Sequence, residues 1–134
     1  MILKIRKINF YFLENKKIIL GVASTWDKRK GLSDFIQLAS LLNANYKIIL
    51  IGLTSKQIQN LPKNIMGVQR TESISELANF YSMADVYINP THKDNFPTTN
   101  IEALACGTPV ITYNTGGSPE SIDDETGKII KKGD

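Results

Sequence analysis

The chain has 134 residues and a formal net charge of +3, with 42% hydrophobic and 22% charged residues. That length makes about one domain with a proper core, and the ordinary composition argues against disorder. The net charge is small and the basic residues are scattered, which is too little for a nucleic-acid stripe, but the Lys28, Arg29 and Lys30 run is enough to meet one phosphate-bearing ligand.

The elements follow from hydrophobic period. Ile18 to Val22 is a short apolar run entering a polar loop, and Leu32, Phe35, Ile36, Ala39 and Leu42 then recur at helical spacing. Tyr46 to Ile51 reads as a second strand, followed by a Gly52-Leu-Thr-Ser55 loop and a short helix that stops before Pro62. Ile65 to Val68 reads as a brief third strand. Ser73 and Glu76 have capping-box spacing and open a helix whose buried face would carry Ile74, Leu77, Tyr81 and Ala84. Val86 to Asn89 is strand-like and ends at Pro90. A helix is expected over roughly Thr99 to Cys106, with Gly107 closing it in a left-handed turn and Pro109 preventing its continuation. Val110 to Tyr113 forms the next strand, and Gly127 to Ile130 a last one at an edge.

Strands alternating with helices imply βαβ units and a parallel sheet. Ligands of such sheets bind beyond the carboxyl ends of the strands, which points to the loops at 24–30, 52–55, 91–97 and 114–118. Residues 1–16 form no clean element and read as the remnant of an interdomain segment. Residues 17–134 read as one domain, truncated at its C-terminus, so the chain is expected to be a fragment of a larger protein.

Several chemistries are missing from the sequence. It has no G-x-G-x-x-G after the first strand, no G-x-x-x-x-G-K-[ST] loop, and no acidic pair suited to a phosphoacceptor. A lone His92 and a lone Cys106 do not make a zinc site or a hydrolase triad. His92 reads as a loop residue, and Cys106 as a small packing residue near a helix end. One cysteine also rules out an internal disulfide framework and fits a reducing compartment. No stretch approaches the roughly 18 apolar residues that span a bilayer, and the start lacks the core and cleavage site of a signal peptide. The expected location is the cytoplasm, with peripheral contact at the inner face of a membrane left open.

The segment from Asn89 to Val110, N-P-T-H-K-D-N-F-P-T-T-N-I-E-A-L-A-C-G-T-P-V, continues to N-T-G-G-S-P-E at Asn114 to Glu120. An acid, seven residues, a second acid on the following helix, then C-G-T-P-V and G-G-x-P-E resemble the signature of the family 4 retaining glycosyltransferases. Asp94 and Glu102 hold the family's Glu-to-Glu spacing, with Asp at the first position. The Trp26-Asp-Lys-Arg-Lys-Gly31 turn resembles the family's phosphate-binding loop, and Ser82 to Thr91 resembles the strand leading into the acidic motif. The resemblance covers almost everything from Ile18 onward. It implies an α/β fold, a Rossmann-like parallel sheet flanked by helices, as one half of a GT-B architecture. This would be the C-terminal half, which binds a nucleotide-sugar donor; the missing N-terminal half would bind the acceptor. The family transfers the sugar with retention and generally needs no bound metal or cofactor.

Carried onto this sequence, the resemblance gives Lys30, Asp94 and Glu102 the catalytic roles. Glu102 would accept hydrogen bonds from the ribose hydroxyls, since a carboxylate offers two oxygens to a vicinal diol; equally, Thr99-Asn-Ile-Glu102 has capping-box spacing, and Glu102 would then cap its own helix. Asp94 would bind hydroxyls of the transferred sugar, one methylene shorter than the usual Glu. Lys30 would neutralise the diphosphate as charge grows on the leaving phosphate. The family's Arg five residues earlier is Thr25 here, and Arg29 is the candidate substitute. Phe96, Pro97, Thr98, Thr99 and Asn100 lead into a helix N-terminus, whose free N–H groups suit a pyrophosphate. Gly116 and Gly117 permit close backbone approach to the donor, and Arg70 and Thr71 lie where the family contacts the base. Trp26 reads as a partly buried anchor rather than a stacking platform. The competing functions on the same fold are a non-catalytic nucleotide-binding module and a partner-docking domain; a nucleic-acid partner is not expected.

Overall fold

The computed structural model describes residues 16–27, 30–90, 98–113 and 127–130. In chain order these form β1 (Lys17–Val22), α1 (Leu32–Leu41), β2 (Tyr46–Ile51), α2 (Ser55–Gln59), β3 (Ile65–Val68), α3 (Ile74–Met83), β4 (Val86–Asn89), α4 (Thr98–Ala105), β5 (Val110–Tyr113) and β6 (Gly127–Ile130). The strands make one parallel sheet in the order β3-β2-β1-β4-β5-β6. The Rossmann-like expectation holds, and β6 lies at an edge as its short run suggests.

The order reverses between β1 and β4. From β1 the chain winds outward to β3, then returns to pair β4 on the other side of β1, with Ile19 opposite Val86 and Leu20 opposite Tyr87. Each winding direction covers one face. On the first, Phe35 and Ala39 of α1 pack with Ile19, Ile48, Leu50 and Ile65, and the half-buried Ile58 of α2 packs against them. On the second, Phe80 and Tyr81 of α3 and Ala103 of α4 pack with Ile18, Leu20, Ile49, Tyr87 and Val110. Ile48, Ile49 and Leu50 are fully buried in succession, as a strand covered on both faces must be, and this is why β2 reads as a continuous apolar run rather than an alternating one.

Local signals place the helix ends. Ser73 Oγ accepts the Glu76 N–H at 3.1 Å at the start of α3. Thr54 and Gln57 form a complete capping box at the start of α2. Gly107 follows α4 with φ of +79°, the left-handed stop expected of it. At the other end of the sheet, Asp85 brackets Ile18. Its N–H donates to the Ile18 carbonyl at 2.9 Å, and its Oδ2 accepts the Ile18 N–H at 2.7 Å. This pair of hydrogen bonds ties the beginnings of β1 and β4 and helps set their register.

One element departs from its pattern. Ile74, expected on the buried face of α3, is 88% exposed, while Phe80 joins Tyr81 in the core. Helical period sets the angle of a side chain about the axis but not its position along the axis. Ile74 is the first residue of α3 and receives no cover from the described residues.

Candidate functional site

The carboxyl ends of β1 and β4 meet at the switch point, where parallel sheets leave a crevice. β1 feeds the turn that carries Lys30. Within it the Lys30 N–H donates to the Asp27 carbonyl at 3.1 Å, and the Gly31 carbonyl then accepts the N–H groups of Asp34 and Phe35 at the start of α1. Gly31 has φ of +85°, and a Cβ there would lie 2.3 Å from the Pro90 carbonyl oxygen. Only glycine combines that backbone conformation with that close approach. The β1 turn is therefore seated on the residue that follows β4, and this contact brings the Lys30 segment beside the chain entering the acidic motif.

Trp26 braces the same turn from below. It is buried, its Nε1–H donates to the Ile51 carbonyl at 2.9 Å, and its ring meets Phe35 edge-on at 5.5 Å. Gln57 Nε2 donates to the Trp26 carbonyl at 2.9 Å. Trp26 is thus an anchor, as the sequence suggests, and its indole is committed to the core.

At the end of β4, Asn89 Nδ2 donates to Asn100 Oδ1 at 2.9 Å, and Thr112 Oγ1 donates to the Asn89 carbonyl at 3.1 Å. All three side chains are buried. They tie the first turn of α4 to the ends of β4 and β5. Asn100 is therefore placed at the helix N-terminus, as expected, with its amide oxygen turned to the strand end.

Glu102 stands one turn before the end of α4 and is exposed. Its Oε1 accepts the Tyr81 O–H at 3.0 Å. α4 begins at Thr98, so Thr99 lies inside the first turn and is not the N-cap that the Thr99-to-Glu102 spacing suggested. Tyr81 is buried against Tyr87, with ring centroids 5.5 Å apart. The Thr108 hydroxyl donates to its carbonyl. Burial pushes the phenol well above its ordinary pKa, and neighbouring Tyr87 and Glu102 add to the shift. The phenol consequently remains a donor throughout the neutral range.

Arg70 is exposed and Thr71 half-buried, both just beyond the carboxyl end of β3. Lys30, Arg70, Thr71, Asn100 and Glu102 are thus distributed along the carboxyl side of the sheet and its helices. Arg29, Asp94, Phe96, Pro97, Gly116 and Gly117 lie outside the described residues, as does the side chain of Thr98. Cys106 is half-buried against the α3 and α4 side of the core, in keeping with a packing role. Among the described residues no group of three His, Cys, Asp or Glu converges, and no helix is long and apolar enough to cross a membrane.

Tyr81 lies outside the sequence motifs, and Asn89, though inside the Asn89-to-Val110 segment, sits at a position to which the resemblance assigns no role. The available signal is chemical: a Tyr rather than a Phe on a buried helix face needs a partner for its hydroxyl, and an Asn closing an apolar strand needs one for its amide.

The family model described as glycosyl transferases group 1 matches residues 4–134. The chain belongs to that family. It is 29% identical over 136 residues to the capsular polysaccharide biosynthesis glycosyltransferase CapM of Staphylococcus aureus, covering 93% of this chain and 36% of that protein. In structure it is similar to sucrose-phosphate synthase from Thermosynechococcus elongatus, with a TM-score of 0.79 and 28% identity, covering 93% of this chain and 35% of that one. It shares its fold with HepE of Anabaena in complex with UDP-glucose, with a TM-score of 0.73 and 19% identity over 93% of this chain and 38% of that one. The group 1 chain therefore spans about a third of the length of these proteins, and its Rossmann-like sheet is one half of a GT-B architecture.

Proposed function

We propose that this chain is the donor-binding half of a glycosyltransferase that moves a sugar from a nucleotide diphosphate-sugar to a glycan or lipid-linked acceptor, with retention at the anomeric carbon. The observation that carries the proposal is the seating of Gly31 on Pro90 at the switch point. It holds Gly31, next to Lys30, against Pro90, the residue from which the chain runs on in sequence to the Asp94-to-Glu102 motif, at the edge where α/β sheets take their ligands. β3, with Arg70 and Thr71 beyond it, lies three strand intervals from β4, about 14 Å, room to lay base, ribose and diphosphate along the edge.

In this assignment Glu102 accepts the ribose hydroxyls, and the first turn of α4, from Thr98 to Asn100 with Phe96 and Pro97 before it, receives pyrophosphate oxygens. Lys30, aided by Arg29, stabilises charge developing on the leaving phosphate more than it stabilises the bound donor. Asp94 holds the transferred sugar, and Gly116 and Gly117 let the backbone approach it. No metal or cofactor is assigned a role. The binding of UDP-glucose by HepE and the sucrose-phosphate synthase likeness support a nucleotide-sugar as the donor class. The acceptor belongs to a second, N-terminal half, so this chain by itself is expected to bind without turnover, because closure of two halves excludes water and completes the site. The full enzyme is assigned to the cytoplasm, at the inner face of a membrane when its acceptor is lipid-linked.

Asp94 in place of Glu and Thr25 in place of Arg favour a second reading, a module that kept nucleotide binding and lost the chemistry. Ligand-observed NMR with UDP, GDP, ADP and their sugars is the first test. Selective binding of one nucleotide, weakened by Glu102→Ala, is expected; a folded chain that binds none at millimolar concentration overturns the donor assignment. Transfer or donor hydrolysis on supplying an N-terminal half separates the enzyme from the inert module.

A further inference from the structure

We infer that Tyr81 is a positioning residue for the donor: its buried phenol orients the exposed Glu102 carboxylate toward the ribose. The inference rests on the ribose role proposed for Glu102.

Glu102 projects from α4 into solvent, and a solvated glutamate samples several rotamers, each costing entropy to select on binding. Among the described residues it is restricted by the 3.0 Å bond from the Tyr81 hydroxyl to Oε1. Tyr81 is itself well held. It is 1% exposed, its ring packs edge-on against Tyr87, and its carbonyl accepts the Thr108 hydroxyl. Tyr87 in turn donates from its hydroxyl to the Val22 carbonyl at 3.2 Å, the last residue of β1. The position of the carboxylate is thus referred through two rings to the strand end at the switch point. Because Oε1 accepts one hydrogen bond from the phenol, Oε2 and the second lone pair of Oε1 are left as acceptor capacity for a diol. A phenylalanine would pack as well in the same space, so the hydroxyl has no packing duty.

The test uses UDP, GDP and ADP, each beside its 2′-deoxy counterpart, with dissociation constants from NMR titration of the 134-residue chain. For the nucleotide that binds best, the native chain is expected to prefer the ribose form by about tenfold, the worth of one hydrogen bond to a charged group. Glu102→Ala should bring that ratio close to one. Tyr81→Phe should reduce it about threefold to fivefold while leaving the melting temperature nearly unchanged. In the double variant Tyr81→Phe should add nothing to Glu102→Ala, because it acts through that carboxylate. A purely structural tyrosine would weaken ribose and deoxyribose forms alike and would add to the Glu102 effect. If Glu102→Ala abolishes the preference and Tyr81→Phe leaves it intact, the positioning role is overturned and the ribose role stands. If Glu102→Ala leaves the preference intact, or the native chain has none, the ribose role itself is wrong and the inference falls with it.

Discussion

Gly31 and Gly107 both adopt positive φ, +85° and +79°, but their surroundings differ. A Cβ on Gly107 meets nothing within 4 Å, whereas one on Gly31 falls 2.3 Å from a backbone carbonyl oxygen. Gly107→Ala should cost only the left-handed strain, about 1 kcal/mol. Gly31→Ala adds an overlap that backbone must move to relieve, and should cost about 3 kcal/mol or more. Urea midpoints of the two variants check this, and equal losses would show that the turn after β1 is free to shift away from Pro90. Gly31→Ala should also weaken nucleotide binding beyond what its stability loss explains, since it displaces the Lys30 turn from Pro90 at the end of β4.

Among the elements, α4 owes its placement to a polar bond rather than to apolar packing alone. Asn89 Nδ2 donates to Asn100 Oδ1 at 2.9 Å, and both residues are nearly or wholly buried. Asn100→Ala strands a buried amide and should destabilise by about 1–3 kcal/mol. Asn89→Ala should cost a similar amount, and the double variant less than the two together by about 1 kcal/mol, the coupling of a shared bond. Additive losses in urea denaturation would mean that the two amides act independently. This pair also marks where sequence stops being informative. The strand Tyr46–Ile51 was legible because burial on both faces leaves a continuous apolar run, and the shorter strands because brief β-branched runs stand between helical patterns. α4 was legible within a residue because Gly107 and Pro109 stop it. Lys30 and Glu102 were legible through motif spacing. The bonds that hold α4 to β4 and Glu102 to Tyr81 join residues 11 and 21 apart across different elements, and no periodicity records such partners. Ile74 shows the converse: its period was right, but its place at the helix start was decisive.

For the whole molecule, the Tyr81 phenol makes stability depend on alkaline pH. Its native pKa is raised, first by burial and then by Tyr87 and Glu102, with Cys106 also nearby. In the unfolded chain the phenol loses its proton near the ordinary value of about 10. Above that pH the native state holds more protons than the unfolded state, so stability falls as pH rises. The contribution is complete below about pH 10 and is lost progressively above it, at up to about 1.4 kcal/mol per pH unit for one proton. Lys47 acts in the opposite sense. Desolvation, and then Lys16, lower its pKa, so the native state gives up that proton first and stability rises with pH through that interval. A comparison of the native chain with Tyr81→Phe cancels Lys47, which both retain. The native chain should lose stability more steeply than Tyr81→Phe between pH 9 and 11, by up to about one proton's slope. Urea denaturation at a series of pH values measures both slopes. Parallel slopes would mean that Tyr81 ionises as readily in the native state as in the unfolded one, which is incompatible with a phenol buried against Tyr87 and bonded to the Glu102 carboxylate.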